Sequence, residues 1–197
     1  MSVRHTWIER GEHALLARID EPADRSAVGV LVVVPSVARE AVVSSRAVRV
    51  LAIRAAEVGL AAVTFSLSGN GDSGVLRDTW DLGATWRGDV EAVVDFARTL
   101  APGLPVHVIG LRLGATLLDA APAQPGEQRI AWEPVDGAGF IRHHKTIRRM
   151  SLRIPVTADG VELSGFALSD AQAEAVRTLR AARPGDTSSV IVRRETD

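Results

Sequence analysis

The segment VIGLRLGATLL, residues 108–118, carries the clearest structural signal in this chain of 197 residues. Its apolar first half predicts a buried strand that ends near Gly110, and a helix is expected to begin at about Leu113. Two glycines, Gly110 and Gly114, bracket the junction, and Arg112 lies at its centre. Glycines placed in this way are typical of a sharp turn from a strand into a helix. The segment therefore predicts a tight strand–turn–helix with an arginine at its apex.

Other apolar segments on both sides of this junction predict the rest of a sheet. The run GVLVVVP at 29–35 is rich in β-branched residues and is typical of a strand that is buried on both faces. Further strands are predicted at 60–67, 104–110 and 128–135, with helices at 41–58, 79–100 and 113–123. Strands that alternate with helices predict an α/β fold with a mostly parallel sheet and helices on both faces.

The two ends of the chain predict antiparallel additions to this sheet. Residues 3–20 are expected to form an N-terminal hairpin that turns at 10–12. Residues 136–168 are expected to form a cap-like insertion, in which a basic helix precedes a β-hairpin with Asp159–Gly160 at its turn. A last strand is predicted at 188–194.

The composition excludes several classes of function. Hydrophobic residues make up 46% of the chain and its formal net charge is −1, so there is no basic footprint for nucleic acid or for a membrane surface. No apolar run approaches the roughly 18 residues of a membrane-spanning helix, and the first residues do not resemble a signal peptide. The chain has no cysteine, which fits a reducing cytoplasm. We expect residues 1–197 to form a single cytoplasmic domain.

The glycine-rich segment SGNGDSG, residues 68–74, formally matches the pattern G-x-G-x-x-G of dinucleotide-binding proteins. That function requires the third glycine to open a helix and an acidic residue to end the next strand. Residues 75–78 separate the glycines from the next helix, and the next strand ends at Ile109–Gly110 without a carboxylate. We therefore predict a tight loop with glycines at positive φ, and no cofactor.

The segment RHHKTIRRM, residues 142–150, has the residue types of a metal site or a nucleic-acid site. Adjacent His143 and His144 would point about 100° apart on a helix, so they are poorly placed to share one metal ion. We predict no metal site. Three basic residues align on one face, which predicts a solvated face or a site for an anionic ligand: Arg142, Lys145 and Arg149.

Four segments together resemble a known family. They are VVVPSVAREAVVSSRAVRVLAIRAAEVGLAAVTFSLSGNGDSG, GLRLGATLL, AWEPVDG and VELSGFALS, in this order. The chain from about residue 28 to 194 resembles a group of bacterial α/β-hydrolases that is related to serine aminopeptidase-like hydrolases and often described as exosortase A system-associated hydrolases. The resemblance implies that residues 110–114 form the nucleophile elbow, whose usual pattern is G-x-S-x-G. It also implies that Arg112 is a trait of the group.

The resemblance further implies a binding site at the carboxyl edge of the sheet. The loop at 34–41 would supply one backbone N–H of an oxyanion hole, and Leu113 would supply the other. The expected ligand-binding residues are Ser36, Val37, Asp72, Ser73, Arg112 and Leu113.

The end of the chain departs from the pattern of the family. A triad acid is expected after a late strand and a histidine after that, but the sequence ends VIVRRETD. Glu195 and Asp197 are therefore the only candidates for the acid, and no histidine follows them. We expect an α/β-hydrolase-like fold that is truncated at its C-terminus. The strand at 189–193 is then expected at a sheet edge, where a homo-oligomer or another protein would cover it.

The chemistry of the elbow argues against a serine hydrolase. A guanidinium stays protonated and is neither a nucleophile nor a base. Ser36, Ser68 and Ser73 have no base that the sequence identifies. Three hypotheses remain. The first is a non-catalytic protein that binds a small anionic ligand or a protein partner. The second is a hydrolase of esters, thioesters or amides with a non-serine mechanism that uses water near Arg112 and Asp72, and the third is a structural paralogue completed by another chain.

Arg112 must have a partner, because a buried unpaired guanidinium is very costly. The candidates within the chain are Asp72, Glu40, Glu195 and Asp197. The alternative is an anionic ligand, since the planar guanidinium suits a carboxylate or a phosphate.

Overall fold

The structure of the chain is a computed structural model. The described residues are 2–23, 27–123, 125–151, 160–163, 165–182 and 189–193. Two residues predicted as triad acids, Glu195 and Asp197, lie outside the described residues, and so does Asp159 of the predicted hairpin turn.

The described residues form nine strands and five helices. The strands are β1 (Ser2–Arg10), β2 (His13–Glu21), β3 (Gly29–Val34), β4 (Leu60–Phe65), β5 (Val106–Leu111), β6 (Glu127–Trp132), β7 (Val161–Glu162), β8 (Ala167–Leu168) and β9 (Val190–Val192). The helices are α1 (Ala38–Glu57), α2 (Leu82–Leu100), α3 (Leu113–Ala120), α4 (Gly137–Ser151) and α5 (Asp170–Thr178).

Seven of these strands form one sheet in the order β1-β2-β4-β3-β5-β6-β9. Strands β4, β3, β5, β6 and β9 are parallel, and the hairpin of β1 and β2 joins β4 in the antiparallel direction. The prediction of a mostly parallel sheet with an N-terminal antiparallel hairpin is confirmed. All parallel strands end at the same edge, so the loops that follow β3, β4, β5 and β6 lie side by side.

Helices cover both faces of the sheet, but not equally. On one face Val30, Val32 and Val34 of β3 belong to a large core that includes the fully buried Trp86 of α2 and Leu117 of α3. The other face of β3 contributes Leu31 and Val33 to a second core of only six buried residues, which includes Ala52 and Ala55 of α1. Alternation along the strand sends successive side chains to opposite faces. The face that α1 covers therefore has the smaller core.

Two boundaries differ from the sequence-based prediction. Helix α2 begins at Leu82 and not near residue 79, because the Asp81 carboxylate accepts the backbone N–H of Ala84 at 2.9 Å and caps the helix. Strand β7 pairs with β8 in the antiparallel direction, so Val161 lies opposite Leu168, closer to the end of the predicted hairpin than a turn at Asp159–Gly160 implies.

Strand β9 lies at the edge of the sheet, as predicted. It pairs with β6 over only three residues, and Val190 and Val192 are 65% and 40% exposed. In the described part of the chain, no helix is long and apolar enough to cross a membrane.

Candidate functional site

The junction of β5 and α3 forms the sharp elbow that its sequence predicts. Strand β5 ends at Leu111 and helix α3 begins at Leu113, which leaves Arg112 alone at the turn. Its backbone has φ 55° and ψ −116°, in the left-handed half of conformational space. A residue with a side chain is strained there by about 1–3 kcal/mol, so the surrounding packing must hold it in place.

Two backbone contacts explain both glycines of the elbow. A Cβ at Gly110 would lie 2.5 Å from the Cα of Ala115, and a Cβ at Gly114 would collide with the carbonyl oxygen of Pro35. Because both obstacles are backbone atoms, a larger residue could not be accommodated by a side-chain movement. The elbow is thus packed against the loop that follows β3.

The guanidinium of Arg112 lies between two carboxylates. Its Nη2 donates to Oε1 of Glu40 at 3.3 Å, and its Nη1 lies 3.7 Å from Oε2 of Glu133. Glu40 is in the first turn of α1, and Glu133 follows β6 with φ 46°. The side chain of Arg112 is 37% exposed. Glu40 was among the predicted partners, whereas Glu133 was missed.

Glu40 is also held by two other side chains. The hydroxyl of Ser36 donates to Glu40 Oε2 at 2.7 Å, and Nε2 of His144 lies 3.7 Å from Glu40 Oε1. Burial raises the pKa of the Glu40 carboxyl, but His144, Ser36 and the charge of Arg112 together outweigh burial, so the pKa lies below its ordinary value. Glu40 is therefore a carboxylate at neutral pH.

The role of His144 was not found from the sequence. The residue is fully buried in α4, and its ring lies 4.4 Å from that of Phe140, one helical turn earlier. Among the described residues, neither ring nitrogen has a hydrogen-bond partner. We call the set of Arg112, Glu40, Glu133, Ser36 and His144 the elbow cluster.

A second cluster of polar side chains lies where β4 ends. The hydroxyl of Ser68 is 2.7 Å from Nε2 of His13, and Asp89 Oδ1 is 3.6 Å from the same nitrogen. The sequence identified no base for Ser68, and His13 is the nearby base that it missed. Arg10 completes the set, with its Nε 3.8 Å from Asp89 Oδ1. We call these four residues the hairpin cluster, because His13 and Arg10 come from the N-terminal hairpin.

The hairpin cluster does not have the geometry of a serine–histidine–carboxylate relay. In such a relay the serine and the carboxylate face different ring nitrogens, whereas here both face Nε2 of His13. Ser68 is fully buried, and its backbone N–H donates to Asp89 Oδ2 at 2.9 Å. Burial raises the pKa of the Asp89 carboxyl above its ordinary value, despite the hydrogen bonds from Ser68 and the charges of His13 and Arg10. These contacts join the hairpin, the glycine-rich loop and α2.

The remaining predicted residues do not all meet at Arg112. Ser73 is buried, and its hydroxyl donates to the carbonyl of Ser66 and accepts the backbone N–H of Leu16. Asp72 is exposed and lines a different cleft, together with His13. The structure therefore does not place Asp72 or Ser73 in the elbow cluster.

Three of the predicted residues do lie near the elbow. Ser36 contacts Glu40, and Val37 is the buried residue that precedes α1. Leu113 is the buried first residue of α3.

The glycine-rich loop has the predicted conformation at two of its glycines. Gly69 has φ 76° and Gly71 has φ 56°. Within the described residues, no group of three or more His, Cys, Asp or Glu side chains is arranged to hold a metal ion.

The elbow cluster opens into a large cleft of about 1470 Å³ beside α1. One wall is the outward face of α1 from Glu40 to Arg54, and the other contains Leu111, Trp132 and Pro134. The charged side chains that line it are Arg46, Arg54, Arg112, Arg193, Glu40 and Glu133. The cleft is thus largely apolar, with more arginines than carboxylates at its surface.

Comparison with protein-family models found no match, and comparison with curated protein sequences found no relative. Solved structures do match. Est1E from Butyrivibrio proteoclasticus, with ferulic acid bound, aligns with a TM-score of 0.62 and 21% identity, over 89% of this chain and 72% of that one. The protein PA2218 from Pseudomonas aeruginosa aligns with a TM-score of 0.62 and 16% identity, over 89% of this chain and 70% of that one.

A third match is XC6422 from Xanthomonas campestris, which is described as an α/β serine hydrolase without a lid. It aligns with a TM-score of 0.58 and 18% identity, over 96% of this chain and 82% of that one. Together with the sheet order and the elbow, these similarities define the class: the chain has an α/β-hydrolase fold.

Proposed function

We propose that this protein is a non-catalytic α/β-hydrolase-fold protein that binds an anionic ligand or partner in the cleft beside its elbow. The observation that carries the proposal is the side chain at the apex of the elbow. Where this turn usually presents a serine nucleophile, Arg112 is held between Glu40 and Glu133. A protonated guanidinium has no electron pair to attack a carbonyl group and cannot act as a base.

The contacts of Arg112 support a binding role better than a catalytic one. The two contacts, at 3.3 Å and 3.7 Å, use Nη2 and Nη1, and more than a third of the side chain remains exposed to the cleft. Because a guanidinium has five N–H donors, it can keep both carboxylates and still donate to an anion. Glu40 and Glu133 orient the fork, and Arg46, Arg54 and Arg193 add positive charge along the cleft.

The absence of serine chemistry is tested with a fluorophosphonate probe and with p-nitrophenyl esters. We expect no covalent labelling, and turnover no faster than that of the Arg112→Ala variant. Arg112→Ser should not create an esterase. Glu40 contacts the far end of the Arg112 side chain and His144 lies beyond it, so the hydroxyl of a serine at this position would be too short to reach either residue. Labelling of Ser36, Ser68 or Ser73, located by peptide mass spectrometry, would overturn the proposal.

A hydrolase with a non-serine mechanism is the alternative outcome. A screen of esters, thioesters and amides with the purified protein would reveal it. Turnover that is lost in both Glu40→Gln and His144→Phe would identify the elbow cluster as catalytic. We expect no turnover above that of Arg112→Ala in any of these substrate classes.

Anion binding is tested by thermal denaturation in the presence of phosphate or citrate. We expect both anions to raise Tm of the wild-type protein, because ligands that bind only the folded state stabilise it. Arg112→Ala should lose this increase, whereas Arg142→Ala, on the exposed face of α4, should keep it. Equal increases in both variants would show that the anions bind elsewhere.

A further inference from the structure

The cleft beside α1 has the shape of a groove that runs along one whole face of that helix. Nine residues of α1 line it, and seven of them recur at steps of three and four: Glu40, Val43, Ser44, Ala47, Val50, Leu51 and Arg54. These are neighbouring positions on one face of a helix. The other two, Arg46 and Val48, lie on either side of Ala47. From Glu40 to Arg54 the groove is about 21 Å long, at a rise of 1.5 Å per residue.

The floor of this groove is apolar and exposed. On α1, Val43 is 66% exposed and Val50 is 47% exposed, and across the groove Trp132 is 46% exposed. The buried residues of α1 are four alanines, three of which lie in its C-terminal half. A surface helix normally turns its larger apolar residues toward the core. Val43 and Val50 of α1 instead face solvent, without the apolar partner that large apolar residues of a helix usually have. Contiguous exposed apolar surface of this kind marks an interaction site.

The charges around the groove are mainly positive. Four arginines line it, against two glutamates, and both glutamates already contact Arg112. Arg54 also contacts Glu57 at 2.6 Å, but exposed pairs of this kind are weak and exchange partners readily. Arg46 and Arg193 extend the positive charge along the groove. Charge complementarity therefore favours an acidic occupant.

We propose that this groove binds an amphipathic helix of a partner protein, with an apolar stripe at spacing i, i+3, i+4 and i+7 and acidic residues beside it. The length of the groove suits about 14 residues of helix. The proposal rests on the proposed binding role of the cleft and names its partner. Apolar side chains of the helix pack between Val43, Val50 and Trp132, and its carboxylates face Arg46 and Arg193.

The charge on α1 argues against a second copy of this chain as the occupant. In a two-fold dimer the same patch faces itself. Two α1 helices packed in this way would bring the exposed arginines of the groove, Arg46 and Arg54, of one copy close to those of the other. Like charges across an interface are unfavourable. An acidic helix satisfies the apolar stripe and the arginines together.

The proposal is tested by selecting binders from a phage-displayed library of helices of about 18 residues with randomised surface positions. The immobilised target is the full-length chain. We expect the enriched sequences to combine leucine, isoleucine or valine at helical spacing with aspartate or glutamate beside them. A synthetic fluorescent peptide of the most enriched sequence then gives a dissociation constant by anisotropy.

Two pairs of variants on α1 locate the site. Val43→Glu should weaken the peptide at least about tenfold, since it buries an unpaired charge at the interface. Val42→Glu should not, although Val42 is slightly more exposed than Val43, because it lines a different cleft. Arg46→Glu should weaken binding and reduce its dependence on salt, whereas Arg49→Glu, also outside the groove, should do neither.

The outcomes separate this inference from the proposed function. Enriched peptides that are basic or neutral, or that bind Val43→Glu as well as wild type, would overturn the helix proposal and leave the anion and labelling experiments unaffected. Self-association that rises with concentration and is abolished by Val43→Glu would assign the groove to a second copy and also overturn it. Labelling by fluorophosphonate would overturn the non-catalytic function without changing peptide binding.

Discussion

The two polar clusters lie at the same edge of the sheet and differ in how far their central polar side chains are exposed to solvent. In the elbow cluster, Arg112 is 37% exposed and its carboxylate contacts are 3.3 Å and 3.7 Å long. In the hairpin cluster, Asp89 and Ser68 are fully buried. A polar group that reaches solvent can still bind a ligand, whereas a buried one is committed to the fold. We therefore expect the hairpin cluster to matter mainly for stability and the elbow cluster mainly for binding.

The largest expected effect is the loss of stability in Asp89→Ala. The change leaves the N–H of Ser68 without its acceptor and leaves His13 and Arg10 beside an apolar side chain. Removing the acceptor of a buried N–H together with the shared partner of two basic side chains costs about 3–5 kcal/mol. Urea denaturation measures the loss, and Glu91→Ala on the exposed side of α2 is the control. A loss below about 1 kcal/mol would contradict the view that this cluster stabilises the fold.

Arg112→Ala should cost less, about 1–3 kcal/mol, because the guanidinium is partly exposed and solvent screens its pairs. The reason for any loss is that Glu40 and Glu133 are left without their shared counter-charge. The same urea denaturation applies, with Arg142→Ala as the control. If this variant proved less stable than Asp89→Ala, the elbow would be the stronger structural lock and the comparison would be reversed.

Ser36→Ala should cost about 0.5–1.5 kcal/mol, the usual net value of one hydrogen bond. The hydroxyl donates to Glu40 at 2.7 Å, so its loss also raises the pKa of that carboxyl toward the ordinary value. Ser45→Ala, whose hydroxyl donates only to the carbonyl of Val42 in the same helix, is the matched control. Equal losses in the two variants would show that the contact with Glu40 contributes nothing.

The smallest expected effect is the pH dependence of stability, which should have opposite signs for Glu40 and Asp89. The pKa of Glu40 is lowered in the folded protein, so its contribution to stability is present above its ordinary value of 4.5 and is lost as the pH falls below it. The pKa of Asp89 is raised, so its contribution is present below its ordinary value of 3.8 and is lost as the pH rises through the folded-state pKa.

Chemical denaturation between about pH 3 and about pH 7 tests these opposite pH dependences. The stability difference between wild type and Glu40→Gln should shrink as the pH falls. The difference between wild type and Asp89→Asn should grow over the same range. Parallel curves for the two pairs would contradict the opposite shifts.

The sequence was sufficient for the fold because the signals that define it are local. Strand and helix periodicity and the two glycines of the elbow each lie within one segment, and the structure confirms them. The contact of Arg112 with Glu40 was among the predicted possibilities, since both residues follow neighbouring parallel strands.

The polar partners that were missed come from elements whose relative placement no local pattern reveals. His13 meets Ser68 only because the hairpin pairs with β4, and the two residues are 55 positions apart in the chain. In the sequence, His144 was considered only as a metal ligand, and that role was rejected. Its spacing of four from the buried Phe140 was a signal that it faces inward, but the spacing says nothing about Glu40.

The backbone of the elbow has a consequence for how this protein can be altered. Its path is enforced by Gly110, Gly114 and the carbonyl of Pro35, none of which depends on the side chain of residue 112. The side chain at position 112 can therefore be replaced while the backbone of the elbow keeps its position. Such a position suits the installation of a reporter, such as a fluorophore or a spin label, because a label there would sit at the mouth of the cleft. Its signal would then report directly on whatever enters.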